Sequence, residues 1–171
     1  MNYISNQCFK GPLSSTTSED ELYKFFLDEI YNGDLKIEGS NIKVFTSPVV
    51  DNKMQGFFHL TTKTQKQFGI SIRMKEPRAY FINYIPIMIK NYKNCKTCNE
   101  KECNKIKIWT APHKGVKRIK LLYYDCCNSY LIVLERNKNS LYIITSFLID
   151  EPHYLEKVLA EYEINKKPFQ D

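Results

Sequence analysis

The stretch that decides the fold is RIKLLYYDCCNSYLIVLERNKNSLYIITSFLI, residues 118–149. Three runs of large apolar and β-branched residues alternate in it with two short, turn-prone segments, the runs being 118–125, 130–136 and 141–149 and the turns 126–129 and 137–140. Short turns between strand-like runs are typical of antiparallel hairpins. The pattern therefore predicts a meander of three strands, and the continuous apolar run 130–134 predicts that the middle strand is covered on both faces.

A fourth strand and three helices are expected around this meander. Residues 105–110 are strand-like and precede it directly. Ser18 and Glu21 have the spacing of a capping box and predict the start of a first helix. Pro77 and Pro152 each open a further helix, because a proline lacks only an N–H that would be unpaired there anyway. We expect an α+β domain, with N-terminal helices packed on a mainly antiparallel four-stranded sheet and a closing C-terminal helix.

The size and composition fit one globular domain. The chain has 171 residues, of which 43% are apolar and 26% charged, and this balance excludes wholesale disorder. We expect a helical lead-in over 1–41 and the α+β domain over 42–171, with a cysteine-rich insertion at 94–104. Residues 42–62 are aromatic and β-branched with a break at Pro48, which predicts two short extended pieces joined by a turn.

The first ten residues lack the charged start and apolar core of a secretion signal. No apolar run reaches the roughly 18 residues of a membrane-spanning helix. We therefore expect a cytoplasmic protein with no membrane partner, in which disulfides are the less common use of cysteine.

Cys95, Cys98 and Cys103 lie close together in a polar, lysine-rich segment. Thiolates at this spacing suit tetrahedral zinc, but a structural zinc site needs four ligands. A fourth would have to come from elsewhere, the candidates being Cys8, Cys126, Cys127 and His113. Two interpretations stay open, a structural zinc ion that pins the insertion and a set of reduced surface thiols. No cofactor is expected for catalysis.

Positive charge is concentrated in the middle of the chain. Residues 61–125 hold fifteen lysines and arginines and only four acidic residues, whereas the chain as a whole carries a net charge of +6. Such a concentration favours a polyanion such as RNA, because neutralising phosphates releases counterions. The alternative is a surface that is charged only for solubility. The basic residues of most interest are Arg73, Arg78, Lys117, Arg118 and Lys120.

His59 is a candidate for proton transfer, because imidazole titrates near neutral pH. RNA cleavage by transesterification needs a base for the 2′-hydroxyl, an acid for the leaving 5′-oxygen, and donors around the phosphate. Arg78 and the hydroxyl of Thr145 are residue types that such a site uses. The alternatives are a structural histidine among aromatic residues and a threonine that is simply a strand former.

Four short pieces of the sequence resemble one family, the phage-borne nucleases grouped with barnase, EndoU, the colicin ribonucleases and RelE. The pieces are GFFHL at 56–60, Arg78 at the head of a helix, YLIVLE at 130–135 and YIITSF at 142–147. The resemblance covers roughly residues 42–163.

This resemblance implies a helical part packed on a four-stranded antiparallel sheet, and metal-independent RNA cleavage that leaves a cyclic phosphate. By position it assigns the catalytic residues to His59, Arg78 and Thr145. Thr145 is followed here by Ser146 and Phe147, where the family has Ala-Tyr, and the cysteine-rich insertion lies outside the family pattern.

The leading hypothesis is therefore a toxin-like endoribonuclease of a mobile element, which acts on RNA and has a cognate inhibitor or another phage or host protein as a second kind of partner. The alternative is a catalytically inactive RNA-binding or protein-interaction module on the same scaffold, which the many aromatic residues favour. A zinc-dependent hydrolase is disfavoured, because thiol-rich zinc sites are of the closed, structural type.

Overall fold

The computed structural model describes residues 11–67, 70–75, 77–93, 105–125 and 128–166, with 65–67 and 70–75 described by their backbone. The described part is α+β, as predicted, and its elements follow in this order: α1 (Glu19–Phe25), continued by a π-helical segment (Phe26–Tyr31), β1 (Lys36–Ile37), β2 (Ser40–Lys43), β3 (Val49–Val50), β4 (Lys53–Met54), α2 (Gln55–Thr61), β5 (Thr62–Gln67), β6 (Ile70–Lys75), a 3₁₀ helix (Pro77–Phe81), α3 (Tyr84–Asn91), β7 (Ile106–His113), β8 (Val116–Tyr124), β9 (Ser129–Asn137), β10 (Ser140–Leu148) and α4 (Pro152–Asn165).

The predicted capping box starts α1. The Ser18 hydroxyl accepts a hydrogen bond from the backbone N–H of Glu21 at 3.2 Å, and the Glu21 carboxylate accepts one from the Ser18 N–H at 2.7 Å. Two otherwise unpaired donors of the first turn are thereby satisfied. The helix then buries Leu22, Phe26 and Ile30 against the sheet.

The main sheet has six strands in the order β1-β2-β10-β9-β8-β7. The four strands from β7 to β10 form the predicted antiparallel meander. The predicted sheet is nevertheless two strands too small, because β1 and β2 extend it and β2 runs parallel to β10. These two strands have only two and four residues, and the tight turn between them has positive φ at Glu38 and Gly39. Strands this short give too little alternation to be detected.

The sheet has two different faces. The inner face is packed by α1, the π-helical segment, α2 and α3, and contributes Leu121, Tyr123 and Ile132 to the larger hydrophobic core. The outer face is packed by α4, where a smaller core includes Leu131 and Val158. The middle strand β9 is buried over its first six residues, so its predicted coverage on both faces is confirmed.

Residues 55–61 correct the sequence-based prediction, since they form α2 and not an extended piece. The reason for this helix is a tertiary contact with the segment at 44–45. The N–H of Gly56 donates to the Phe45 carbonyl at 2.7 Å, and a Cβ at Gly56 would lie 2.8 Å from the Val44 side chain and 2.9 Å from that carbonyl oxygen. Close contact with the preceding segment therefore decides the backbone here, in spite of the strand-forming residues.

The predicted lead-in contributes to the same core as the domain that follows it, because α1 packs its apolar side chains with those of the meander. None of the helices in the described ranges is long and apolar enough to cross a membrane. The division at residue 41 and the cytoplasmic location stay predictions.

Candidate nucleic-acid interface

Several of the predicted site residues lie on the outer face of the sheet. Thr145 on β10 pairs in register with Val133 on β9, and Val133 pairs with Lys120 on β8. Directly paired residues of neighbouring strands point to the same side of a sheet. Val133 belongs to the core beneath α4, so Thr145 and Lys120 also point outward. We call these positions the threonine row.

A second row runs parallel to the first. Tyr142 on β10 pairs with Glu135 on β9, which pairs with Arg118 on β8, and the row continues to Lys43 on β2. The side chains of this row also point outward, because Arg118 and Lys120 are two residues apart on β8 and such residues point to the same face of a sheet. We call these positions the tyrosine row. Together the two rows bring the predicted residues Arg118, Lys120 and Thr145 onto one surface.

His59 reaches this surface from the side, on α2. Its ring meets the Phe45 ring nearly edge-on, with 5.6 Å between the centroids, and Phe45 in turn packs on Tyr142 with 5.3 Å between centroids. The helix α2 itself packs along β10. His59 is half-buried, so the imidazole lies next to the tyrosine row, separated from it by one aromatic ring.

Arg78 lies near the start of the 3₁₀ helix and joins the two elements that carry His59 and Thr145. One terminal nitrogen donates to the Ser146 carbonyl at 3.1 Å, and the other donates to the Thr62 carbonyl. The first carbonyl directly follows Thr145 and the second lies just beyond the end of α2. Strand β2 pairs with β10 only over 140–142, so Arg78 contacts a stretch of β10 that β2 does not cover.

Two cations of the outer face form ion pairs. The Arg118 Nε lies 2.9 Å from a Glu135 carboxylate oxygen. The Lys120 ammonium lies 2.7 Å from the Glu161 carboxylate of α4, which also accepts a hydrogen bond from the Trp109 indole at 2.7 Å. These pairs are partly buried, so they fix the direction of both cations.

The remaining predicted RNA-binding residues lie apart from these pairs. Lys117 is exposed next to the turn between β7 and β8. Arg73 lies on β6, paired in register with Thr64 of the β5–β6 hairpin, and its side chain is outside the described set.

The sequence-based prediction missed Glu135, Tyr142 and Phe45. The first two could have been found from the meander, because a two-residue turn at 138–139 sets Tyr142 opposite Glu135. Phe45 could not, since no sequence pattern connects it to α2.

Two concave regions lie at the two ends of the exposed part of β10. One is a groove of about 760 Å³ beside Tyr142 and Phe45. The other is a cleft of about 580 Å³ lined by Arg78, Lys63 and Phe147 among others. Thr145 lies between them along the strand, at a bulge that interrupts the register after Ile143. Bulges of this kind redirect side chains and are common near functional sites.

The zinc prediction falls outside the described residues, because Cys95, Cys98 and Cys103 all lie within 94–104. In the part of the chain that is described, no group of three or more His, Cys, Asp or Glu residues is placed to hold a metal ion. The structural zinc site therefore stays a prediction.

Comparison with known proteins adds no identification. No family model matches the chain, and no curated protein and no solved structure has significant similarity to it. The function must therefore be inferred from the geometry of the outer face, and the family resemblance stays a prediction.

Proposed function

We propose that the protein is a metal-independent endoribonuclease whose site lies on the outer face of the sheet, along β10 and as far as Lys120, which pairs with Glu161 of α4. The observation that supports this most is the shared surface of the two rows: Thr145, Lys120 and Arg118 point to one side of the sheet, and α2 brings His59 to its edge. A hydroxyl donor, two cations and an imidazole are the kinds of group that phosphodiester transesterification requires.

Two groups would transfer protons in this reaction. A base takes the proton of the ribose 2′-hydroxyl, the 2′-oxygen attacks phosphorus, and the bond from phosphorus to the 5′-oxygen breaks. An acid gives a proton to that leaving oxygen, and the product is a 2′,3′-cyclic phosphate. His59 supplies one group, and Glu135 is our candidate for the other, because it lies in the tyrosine row beside Tyr142.

The other residues act on the phosphate or hold the site together. The Thr145 hydroxyl donates to a phosphate oxygen, and Arg118 and Lys120 neutralise its charge by exchanging a carboxylate partner for phosphate. Arg78 is a positioning residue in this proposal. Both of its terminal nitrogens donate to backbone carbonyls, and these bonds keep the strand of Thr145 against the helix of His59.

The test is to incubate the purified protein with RNA in EDTA and to analyse the fragment ends. We expect fragments with cyclic phosphate, and His59→Ala should slow their formation by about 10²–10⁴-fold. His153→Ala is the matched control, because His153 is 77% exposed on α4 and its nearest carboxylate is 3.7 Å away.

In that experiment the control variant should cleave like the wild type, and both variants should melt at similar temperatures. Intact RNA with the wild-type protein, or equal activity of the two variants, would contradict the proposal.

A second candidate function is RNA binding without cleavage. The observation that favours it is that Arg118 and Lys120 already have carboxylate partners, Glu135 and Glu161, while aromatic rings surround the neighbouring groove. Stacking on aromatic side chains binds single-stranded RNA without any proton transfer. Salt-dependent binding with no fragments would support this function over the nuclease.

A further inference from the structure

The groove beside Tyr142 is built from three different parts of the chain. Its lining comes from the end of the π-helical segment and the residues that follow, from β2 and the residues after it, and from Asn137 of β9 and Tyr142 of β10. The groove holds about 760 Å³ and is lined by three aromatic side chains, Tyr31, Phe45 and Tyr142. This volume is in the range of small-molecule sites.

The polar groups of the groove are mainly neutral. Three asparagines, Asn32, Asn41 and Asn137, contribute amides that can both donate and accept hydrogen bonds. The acidic member of the lining, Asp34, lies 3.1 Å from the Lys36 ammonium and is thereby compensated. Lys43 adds one exposed cation in the tyrosine row.

These groups match one kind of occupant. A nucleobase has flat π-faces that stack on aromatic side chains, and edges that hydrogen-bond to amides. The phosphate attached to it needs a cation near the base but outside the stack, and Lys43 fulfils this requirement. An aliphatic ligand would leave the amides unpaired, and an acidic ligand would find a single cation.

The groove is continuous with the candidate site. The ring of Phe45 contacts the Tyr142 ring on one side and the His59 imidazole on the other, with 5.3 Å and 5.6 Å between centroids. A base in the groove would therefore lie about one ring width from His59. We propose that the groove binds the nucleobase next to the scissile phosphate of single-stranded RNA, an inference that rests on the proposed function.

The test is the affinity of the full chain for a short single-stranded 2′-O-methyl RNA, measured by fluorescence anisotropy. This RNA cannot be cleaved, because no free 2′-hydroxyl is left to attack the phosphate. Tyr31→Ala should weaken binding about tenfold, the effect of losing one stacked base. Tyr124→Ala is the matched control, since Tyr31 and Tyr124 are 44% and 39% exposed and only Tyr31 lines the groove.

The control should bind like the wild type to within about twofold. Equal affinities of the Tyr31→Ala and Tyr124→Ala variants would overturn the proposal. The proposal would also be overturned if the wild-type protein did not bind the oligonucleotide. In that case the occupant to consider for the groove would be a protein partner.

The outcome is separate from that of the cleavage experiment. If RNA stays intact while Tyr31→Ala alone weakens binding, the nuclease proposal fails and the groove remains a base-binding site. If RNA is cleaved while Tyr31→Ala binds like the wild type, the groove proposal fails and the nuclease remains.

Discussion

The two faces of the sheet are made by the same strands but have opposite character. The inner face is closed by the N-terminal helices and is almost entirely apolar, with Leu121, Ile132 and Leu134 at zero exposure. The outer face is covered by α4 over one part, where Lys120 pairs with Glu161, and its other part carries the Arg118–Glu135 ion pair, Thr145 and Tyr142. Alternation along each strand lets one set of residues stabilise the fold and the next set remain available for binding.

This difference separates stability from function. Apolar burial scales with the area removed from water, so the inner face supplies most of the free energy of unfolding. Partly exposed ion pairs contribute little to it. Substitutions on the inner face should therefore lower the free energy of unfolding. Substitutions on the outer face should lower RNA binding or cleavage and change the free energy of unfolding little.

The largest expected difference concerns two positions of β9 that point to opposite faces of the sheet. Ile132→Ala should lower the free energy of unfolding by about 2–5 kcal/mol, because it leaves a cavity in the inner core. Glu135→Gln on the outer face should lower it by no more than about 1 kcal/mol. Urea unfolding of both variants measures this, and similar losses would remove the distinction between the faces.

Arg78 bonds both β10 and the residue that follows α2, so its substitution should affect both stability and cleavage. Arg78→Lys keeps the charge but replaces two separate terminal nitrogens, each of which bonds one carbonyl, with a single nitrogen, so we expect a loss of about 1.5–3 kcal/mol in stability. Cleavage at saturating RNA should also fall, while KM changes little, since the residue positions His59 and Thr145. The control is Arg136→Lys, because Arg136 is exposed and bonds only the Ser40 hydroxyl among the contacts described. A change in KM alone would instead assign Arg78 to direct RNA contact.

The smallest expected effect is a loss of stability at alkaline pH that comes from Tyr84 in the inner core. Burial raises the pKa of Tyr84 to about 12, and the charge of Asp125 adds to this rise. A tyrosine in the unfolded chain has a pKa of about 10. The folded protein thus holds the proton more tightly, so the stability from Tyr84 is fully present below about pH 10 and is lost as the pH rises towards 12.

Tyr84→Phe removes this titration. The urea midpoint of the variant should fall less between neutral pH and about pH 11 than that of the wild type. Part of the fall should remain, because burial also raises the pKa of Tyr130. Parallel curves for the two proteins would show that Tyr84 is not buried as described.

The sequence alone was sufficient to predict the strands of the meander, but it was insufficient to predict the helix α2 that packs beside them. Strands β7 to β10 are eight or nine residues long, so their alternation and turns are visible locally. The helix α2 is seven residues long and contains three strand formers, Phe57, Phe58 and Thr61, and its conformation depends on contact with Phe45. Contacts that are remote in sequence leave no local pattern.

The candidate site divides in the same way. The position of Arg118 and Lys120 on one face follows from alternation along β8, which a sequence can indicate, whereas Thr145 reaches that face through the bulge in β10, which the sequence pattern does not reveal. The approach of His59 depends on α2, and the bonds of Arg78 depend on an uncovered part of β10. Neither could be predicted without the tertiary structure.

The measurement that tests the central claim most directly is a methyl NMR titration of the protein with single-stranded 2′-O-methyl RNA. We predict that the largest shifts occur at the methyl groups of Thr145 and Ile144 on the outer face, and that Ile132 and Leu134 on the inner face shift little. The largest shifts at the inner-face methyl groups, or no shifts at Thr145 and Ile144 on saturation with the RNA, would contradict the claim that the outer face is the RNA-binding surface.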